Sequence, residues 1–510
     1  EIFHRCDDME VVLPVVPSDI LAHLQRVVHL RFVGETIRPT LDRIGALGSN
    51  AWAVGPERSE TDNAMLLANP HLPWSDLFTF YEAQLVAPDL DVYGVSLVGI
   101  PVLAIAFNDY LGWTHTVSTM DGADLYEVFF DGEGYNWPPV GFGPDYVREF
   151  DSRVEKLRIK QADSTLRDEV LTIRSTDHGP VVLERKDSVL VARIVGLDQP
   201  YFIEQYWDMM RATNLDEFEA SLSRLQNPAF NVLYADRDGH IMYLFGGRQP
   251  VRGIEGTWGA SQGIQPGNHP INLWDETHDY TELPRLLDPE SGWLQNANDP
   301  PWTSTLPTEL DPEEYPDYMA PRGMSFRAQR SAKMLEEDES ISLDEMIEYK
   351  HSTRMELADR ILDELIPAAR RRGGLALRAA EVLNSWDREA DADSRGAVLF
   401  QAWIGSAGAG TETFETSWDE ENPQTTPDGL RDPSGAVSAL EAAAEQIIEA
   451  YSRLDVAWGD VHRLQFAGKD LPANGGPGAL GIFRVLDFVR DGDTYHATSG
   501  DTYVAAIEFS

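Results

Sequence analysis

Gly48-Ser49-Asn50-Ala51-Trp52 places a serine directly after a glycine. A serine hydroxyl becomes a nucleophile once a neighbouring base takes its proton. A histidine, His71, follows 22 residues on, in Leu66-Leu67-Ala68-Asn69-Pro70-His71-Leu72-Pro73-Trp74. That run reads as an apolar strand ending in a Pro-flanked turn. A histidine there can face the start of a neighbouring strand, or it can simply cap the turn. No Gly-x-Ser-x-Gly elbow surrounds Ser49, which disfavours a serine set on a strand-to-helix turn. Further along, Trp113-Thr114-His115-Thr116-Val117 precedes Asp121-Gly122-Ala123-Asp124, and Asn231 opens Asn231-Val232-Leu233-Tyr234-Ala235-Asp236. An asparagine at a hairpin start commonly bonds its own backbone, and Val117 alone reads as a core strand residue.

These residues need elements to hold them. Segments 64–68 and 101–107 are short apolar runs bounded by Asn, Pro or Gly, as buried strands are. Segments 230–234 and 240–245 flank a turn ending in Asp238-Gly239, a strong hairpin signal. The apolar spacing predicts helices over 20–32 and 214–225, the latter with Asn214 as N-cap. Segments 328–336, 342–351, 355–371 and 435–451 are also helical in pattern, and Ser342 to Glu345 forms a capping-box arrangement. From 458 strands return, ending over 503–509. The order is a strand-rich core over 49–260, a Pro-, Gly- and Trp-rich covering excursion over 255–325, a helical region over 326–455 and returning strands over 456–510. Strands, then helices, then strands imply an α+β core with a helical insertion.

With 510 residues the chain can bury a large core. Asp and Glu number 85 against 41 Lys and Arg, a formal charge of −44. Such a surface repels phosphate backbones and argues against nucleic acid as a partner. It reads as a solvated face or as adaptation to high salt, where repulsion is screened. The single cysteine, Cys6, excludes an internal disulfide framework, and no apolar run is long enough for a membrane helix.

Taken together, the Gly48-Ser49, His71, Trp113–Val117 and Asn231 segments resemble the penicillin acylase family of N-terminal-nucleophile hydrolases. The flavour is that of the acyl-homoserine-lactone acylases. Leu90-Asp91-Val92-Tyr93-Gly94, Gln295-Asn296-Ala297-Asn298-Asp299-Pro300-Pro301-Trp302 and Trp458-Gly459-Asp460 extend the match across about 49 to 510. The resemblance implies a four-layer αββα sandwich. It also implies self-cleavage between Gly48 and Ser49, after which the freed α-amine of Ser49 serves as base for its own hydroxyl. Residues 1–48 then correspond to the end of a small subunit plus a linker, and 49–510 to the nucleophile-bearing subunit. The implied partners are a small acyl amide substrate and that small subunit, in a periplasmic or extracellular setting. The alternative is an unprocessed or degenerate homologue acting as a binding protein.

By the same resemblance, Val117 supplies a backbone N–H and Asn231 a side-chain amide to the oxyanion. His71 tunes the serine amine, Asp460 orients His71, and Arg252 supports the amine. Asp460 after Trp-Gly could equally be a turn residue, Arg248 competes with Arg252, and a surface salt bridge would also account for that arginine. Leu72, where relatives often carry phenylalanine, lines the acyl pocket and favours an alkyl group. Trp74 and Trp207 join it there or belong to the core. No organic cofactor is implied. Asp121 and Asp124, with the carbonyl of Ala123 and a contribution from Asp236, match a structural calcium site found in part of the family.

Overall fold

The computed structural model describes residues 15–33, 47–131, 134–137, 146–253, 258–268, 270–408 and 413–510. Cys6 and most of the segment before Ser49 lie outside these residues. Strand β1 (Gly48–Val54) lies between β2 (Ala64–Pro73) and the strand Trp293–Asn296, all antiparallel. β2 continues the sheet through strands Thr494–Asp501 and Ala505–Phe509. A second sheet contains β3 (Phe80–Ala87), β4 (Leu90–Leu97), β5 (Ile105–Asn108), β6 (Leu111–Val117) and the hairpin Phe230–Asp236 with Ile241–Leu244.

Alternation along β1 explains the layering. Ala51 and Ala53 are small and face the second sheet, packing with Leu233, Ala235, Tyr243 and Phe245. Trp52 and Val54 face the other way, against Ala328, Ala332 and Leu335 of the helix Phe326–Glu336. On the outer face of the second sheet lie α2 (Phe202–Arg211) and α3 (Leu215–Leu222), which follow the helix α1 (Pro17–Leu24) in chain order. Phe202, Tyr206, Met209 and Phe218 pack there on Trp113, Tyr234 and Met242. The order is helices, sheet, sheet, helices, the expected mixed α+β sandwich.

The expected helices appear as Leu343–Lys350, Glu356–Arg372 and Pro433–Tyr451 beside Phe326–Glu336. Ser342 forms its capping box with Glu345, and the Asn214 side chain caps α3 by accepting from Glu217 N at 3.0 Å. The helix expected over 20–32 begins in α1 and continues over Gln25–Phe32 in the wider π form. Three helices of ten or more residues lie where the sequence pattern predicts none, Phe202–Arg211, Gly374–Ser385 and Ala397–Ala407. Of the run 101–107, only the end is strand. A third sheet carries β7 (Ala123–Asp131) and a ribbon of strands Asp151–Lys160 and Leu166–Thr176, whose side chains are mostly exposed.

Candidate active site

Strand register sets the centre. Gly48 lies opposite His71 in the β1–β2 pair, and His71 lies opposite Asp501 in the next. Three residues far apart in the chain thus form one row across three strands. His71 is buried, and that burial pulls its pKa down to about 4, so the imidazole is neutral at pH 7. Its Nε2 sits 2.8 Å from Asn69 Oδ1 and 3.3 Å from Asp501 Oδ1. Both are acceptors, so Nε2 carries the proton and Nδ1 keeps a lone pair. Nδ1 has no partner and faces Gly48: a Cβ added there would come 3.6 Å from it.

Asp501 is held in turn by the fully buried Lys350, whose Nζ donates at 2.8 Å. Burial raises the Asp501 pKa, but the His71 hydrogen bond and the Lys350 charge outweigh it and hold the carboxyl below the usual range. Asn69 links the row, donating from Nδ2 to Asp501 at 3.1 Å.

Two further residues, to which the sequence assigned no role, also stand at Ser49. Asn298 Oδ1 accepts from Ser49 N at 2.6 Å, and Asn298 Nδ2 donates to Val117 O at 3.0 Å. Arg327 donates to Ser49 O at 2.6 Å, to Asn50 Oδ1 at 2.5 Å and to Asn298 Oδ1 at 2.8 Å. Burial lowers the Arg327 pKa to about 10, which leaves it a cation at pH 7. The Ser49 hydroxyl donates to Gly48 O at 2.5 Å across the intact peptide bond.

Ser49 opens onto a pocket whose surface is almost wholly apolar. Val28 and Phe32 come from the helix before Ser49, Leu72 from β2, Ile100 and Ala104 from the loop before β5, and Phe202 and Tyr206 from α2. His115 also lines it. His115 Nδ1 donates to Asn231 O at 3.0 Å, so its Nε2 accepts from Tyr206 Oη at 2.8 Å. Burial lowers the His115 pKa to about 4 and keeps it neutral. The two polar tips satisfy each other, and the pocket offers hydrocarbon.

The penicillin amidase family model matches residues 8–510. The chain belongs to the penicillin amidase family. It is 29% identical to the acyl-homoserine lactone acylase PvdQ of Pseudomonas syringae pathovar tomato, over 91% of this chain and 64% of that protein. It is 24% identical to the aculeacin-A acylase of Actinoplanes utahensis, over 92% and 64%. The chain therefore spans somewhat less than two thirds of the length of these relatives. In fold it resembles a thermostable penicillin G acylase from Alcaligenes faecalis, with a TM-score of 0.66 at 17% identity, covering 91% of this chain and 88% of that one.

Within this penicillin amidase fold several expected positions move. Asn231 is not beside Ser49: its amide donates to Thr116 Oγ1 at 3.0 Å and Asn296 Oδ1 at 3.2 Å, behind the site. The asparagine in contact with Ser49 and Val117 is Asn298. Arg252 does not reach the serine, because it is buried against Asp121 and Asp124; Arg327 is the arginine at the site. Asp460 is exposed on the short helix Trp458–Val461, and the carboxylate facing His71 is Asp501. Val117 and Leu72 both line the pocket onto which Ser49 opens. Trp207 is 43% exposed, and Phe202 and Tyr206 of the same helix turn inward instead. Trp74 is 38% exposed and donates from Nε1 to Asp501 O, outside the pocket lining.

The residues expected to hold calcium are not brought together at one point. Asp236 caps its own hairpin turn, accepting from Asp238 N, His240 N and Tyr234 Oη. It lies at the far end of its strand from Phe230, the residue that pairs with Val117, roughly 20 Å away at strand rise. Asp121 and Asp124 enclose a guanidinium. Ala123 is tied into the third sheet opposite Ile194. Among the described residues no group of three or more His, Cys, Asp or Glu side chains is placed to hold a metal.

The missed residues left signals. Asn298 lies in the Gln295–Trp302 segment that matched the family, and it takes a positive φ of 63°. Arg327 stands in the first turn of its helix, where a cation opposes the helix dipole. A charge placed against its local preference marks a site held for another reason. Asp501 left no local signal.

Proposed function

We propose that this protein is an amidohydrolase that removes an apolar acyl group from an amide, with Ser49 as nucleophile after cleavage of the Gly48–Ser49 bond. The observation that carries this reading is the set of groups converging on Ser49: a lone pair of His71, the amide of Asn298, the main chain of Val117 and an apolar pocket.

In self-cleavage, Ser49 Oγ attacks the Gly48 carbonyl carbon while His71 Nδ1 takes the hydroxyl proton. The C–N bond breaks, nitrogen gains a proton and an ester forms, which water hydrolyses to a Gly48 carboxylate and a free Ser49 amine. That amine has an unperturbed pKa of about 8. The Arg327 cation beside it disfavours the ammonium form, which leaves the amine free to act as base.

In turnover, the amine takes the hydroxyl proton as Oγ attacks the acyl carbonyl. The oxyanion is met by the Val117 N–H and by Asn298 Nδ2. The amine then passes its proton to the leaving nitrogen, and water releases the acyl group. Acyl-homoserine lactones, lipopeptides and penicillin-type amides fit an apolar acyl arm, and the hydrocarbon lining favours an alkyl chain.

The test is intact mass and N-terminal sequencing of the expressed full-length product beside Ser49→Ala. A fragment beginning Ser49-Asn50-Ala51-Trp52 in the wild type alone is the expected result. A wild type that stays uncleaved at low and high salt would overturn the mechanism.

A further inference from the structure

Arg252 is buried with both carboxylates it touches, the three side chains being 3%, 3% and 1% exposed. Its Nη1 lies 3.2 and 2.9 Å from the two oxygens of Asp124. Its Nη2 lies 3.0 Å from Asp121 Oδ2 and donates to the main-chain carbonyl of Asp121 at 2.8 Å. Trp274 Nε1 donates to Asp124 Oδ2 at 2.5 Å, and the Arg193 guanidinium stacks on the Trp274 ring with its carbon 4.6 Å from the centroid. A divalent ion of the calcium type needs six to eight oxygens at about 2.3–2.6 Å. Here the carboxylate oxygens turn toward a planar fork instead, and the fork occupies the gap between them.

We propose that Arg252 is a built-in cation that takes the place of a divalent metal between Asp121 and Asp124, so that the loop after β6 is set without a metal. The charge argument runs the same way. A dication set beside a buried guanidinium would face repulsion at a few ångströms in a medium of low dielectric. The guanidinium donates directed hydrogen bonds to the Asp124 carboxylate and the Asp121 carbonyl and pairs with the Asp121 carboxylate by charge, a planar match that an ammonium cannot make. Position gives the pair its consequence. Asp121 is four residues from Val117, whose carbonyl accepts from Asn298, and Arg252 grips Asp121 by side chain and main chain alike. The clamp therefore holds the C-terminal end of β6 against β7.

The same arrangement predicts a gain of function. Removing the guanidinium leaves two buried carboxylates and a carbonyl around an open space, a set of hard oxygens that a divalent ion can fill.

The experiment uses the full chain and reads thermal melting and calcium binding by calorimetry, neither of which depends on activity. The wild type is expected to melt within about 1 °C in EDTA and in millimolar calcium, with no calcium binding heat at this site. Arg252→Ala is expected to melt roughly 3–5 °C lower in EDTA, because it leaves buried carboxylates uncompensated. It is expected to recover much of that loss in calcium and to bind about one equivalent. Arg252→Gln, which keeps bulk and donors but no charge, is expected to fall between the two and serves if Arg252→Ala does not fold. A wild type that binds calcium or loses stability in EDTA overturns the proposal on its own. So does a folded Arg252 variant indifferent to calcium.

Discussion

Two asparagines separate chemistry from scaffolding at the scale of single residues. Asn298 touches Ser49 N and Val117 O, whereas Asn231 ties Thr116 to Asn296 behind them. Asn298→Ala should lower kcat by about 10²- to 10³-fold, the usual loss for one oxyanion donor. Asn231→Ala should leave kcat within a few-fold and cost about 1–3 kcal/mol of stability, because it strands buried polar partners. Turnover of the cleaved enzyme and urea melts distinguish the two, and intact mass reports whether each variant processes. An equal loss of kcat in both would show that the site is wrongly assigned.

The helix before Ser49 belongs functionally to the pocket. Val28 and Phe32 line it, and Phe32 packs edge-on against Phe78 and Phe230 with centroids at 5.5 and 4.8 Å. This element therefore sets how long or wide an acyl group the pocket accepts. Phe32→Ala should shift the ratio of kcat/KM values toward longer or bulkier acyl chains by about tenfold, the order expected when pocket volume changes by more than a methylene. A panel of amides of graded chain length measures it. An unchanged ratio would mean that the wall is formed elsewhere.

For the whole molecule, burial of imidazoles makes stability depend on pH. His29, His71, His115 and His178 are each lowered to about 4 and His462 to about 3, all chiefly by burial. His462 shows why: it lies between the rings of Trp458 and Tyr495, with centroids at 3.5 and 5.1 Å, and neither ring nitrogen has a partner. Below pH 6.5 the unfolded chain binds protons that the folded chain refuses until about pH 4. Stability present above pH 6.5 is therefore lost as pH falls through that window. One pKa unit corresponds to about 1.4 kcal/mol per group. Asp121 acts in the opposite sense, since burial pushes it up to about 6 against the pull of Arg252, and so do Asp124, Asp299, Asp487, Glu389 and His240, whose pKa values are also raised; they offset part of the histidine effect. Urea melts at pH 7, 6 and 5 should show a fall of several kcal/mol. A flat profile would mean that these histidines are hydrated.

Local pattern carried much of this protein. Capping residues and apolar spacing placed most helices, Asp238-Gly239 placed the hairpin, and the ordered motifs around Gly48-Ser49 and His71 pointed to the family. These are properties of neighbours in the chain, and neighbours write them. The partners of Ser49 and His71 were not legible in that way. Asp501 meets His71 only because β2 pairs with the strand Thr494–Asp501 in one register, and a slip of one residue would turn it to the other face. Asn298 and Arg327 reach Ser49 from a turn and from a helix start, each more than two hundred positions further along the chain. Arg252, read as a support for the serine amine, was drawn to two carboxylates because buried charge requires compensation nearby. Strand register and charge pairing join residues hundreds of positions apart, and only the tertiary structure decides them.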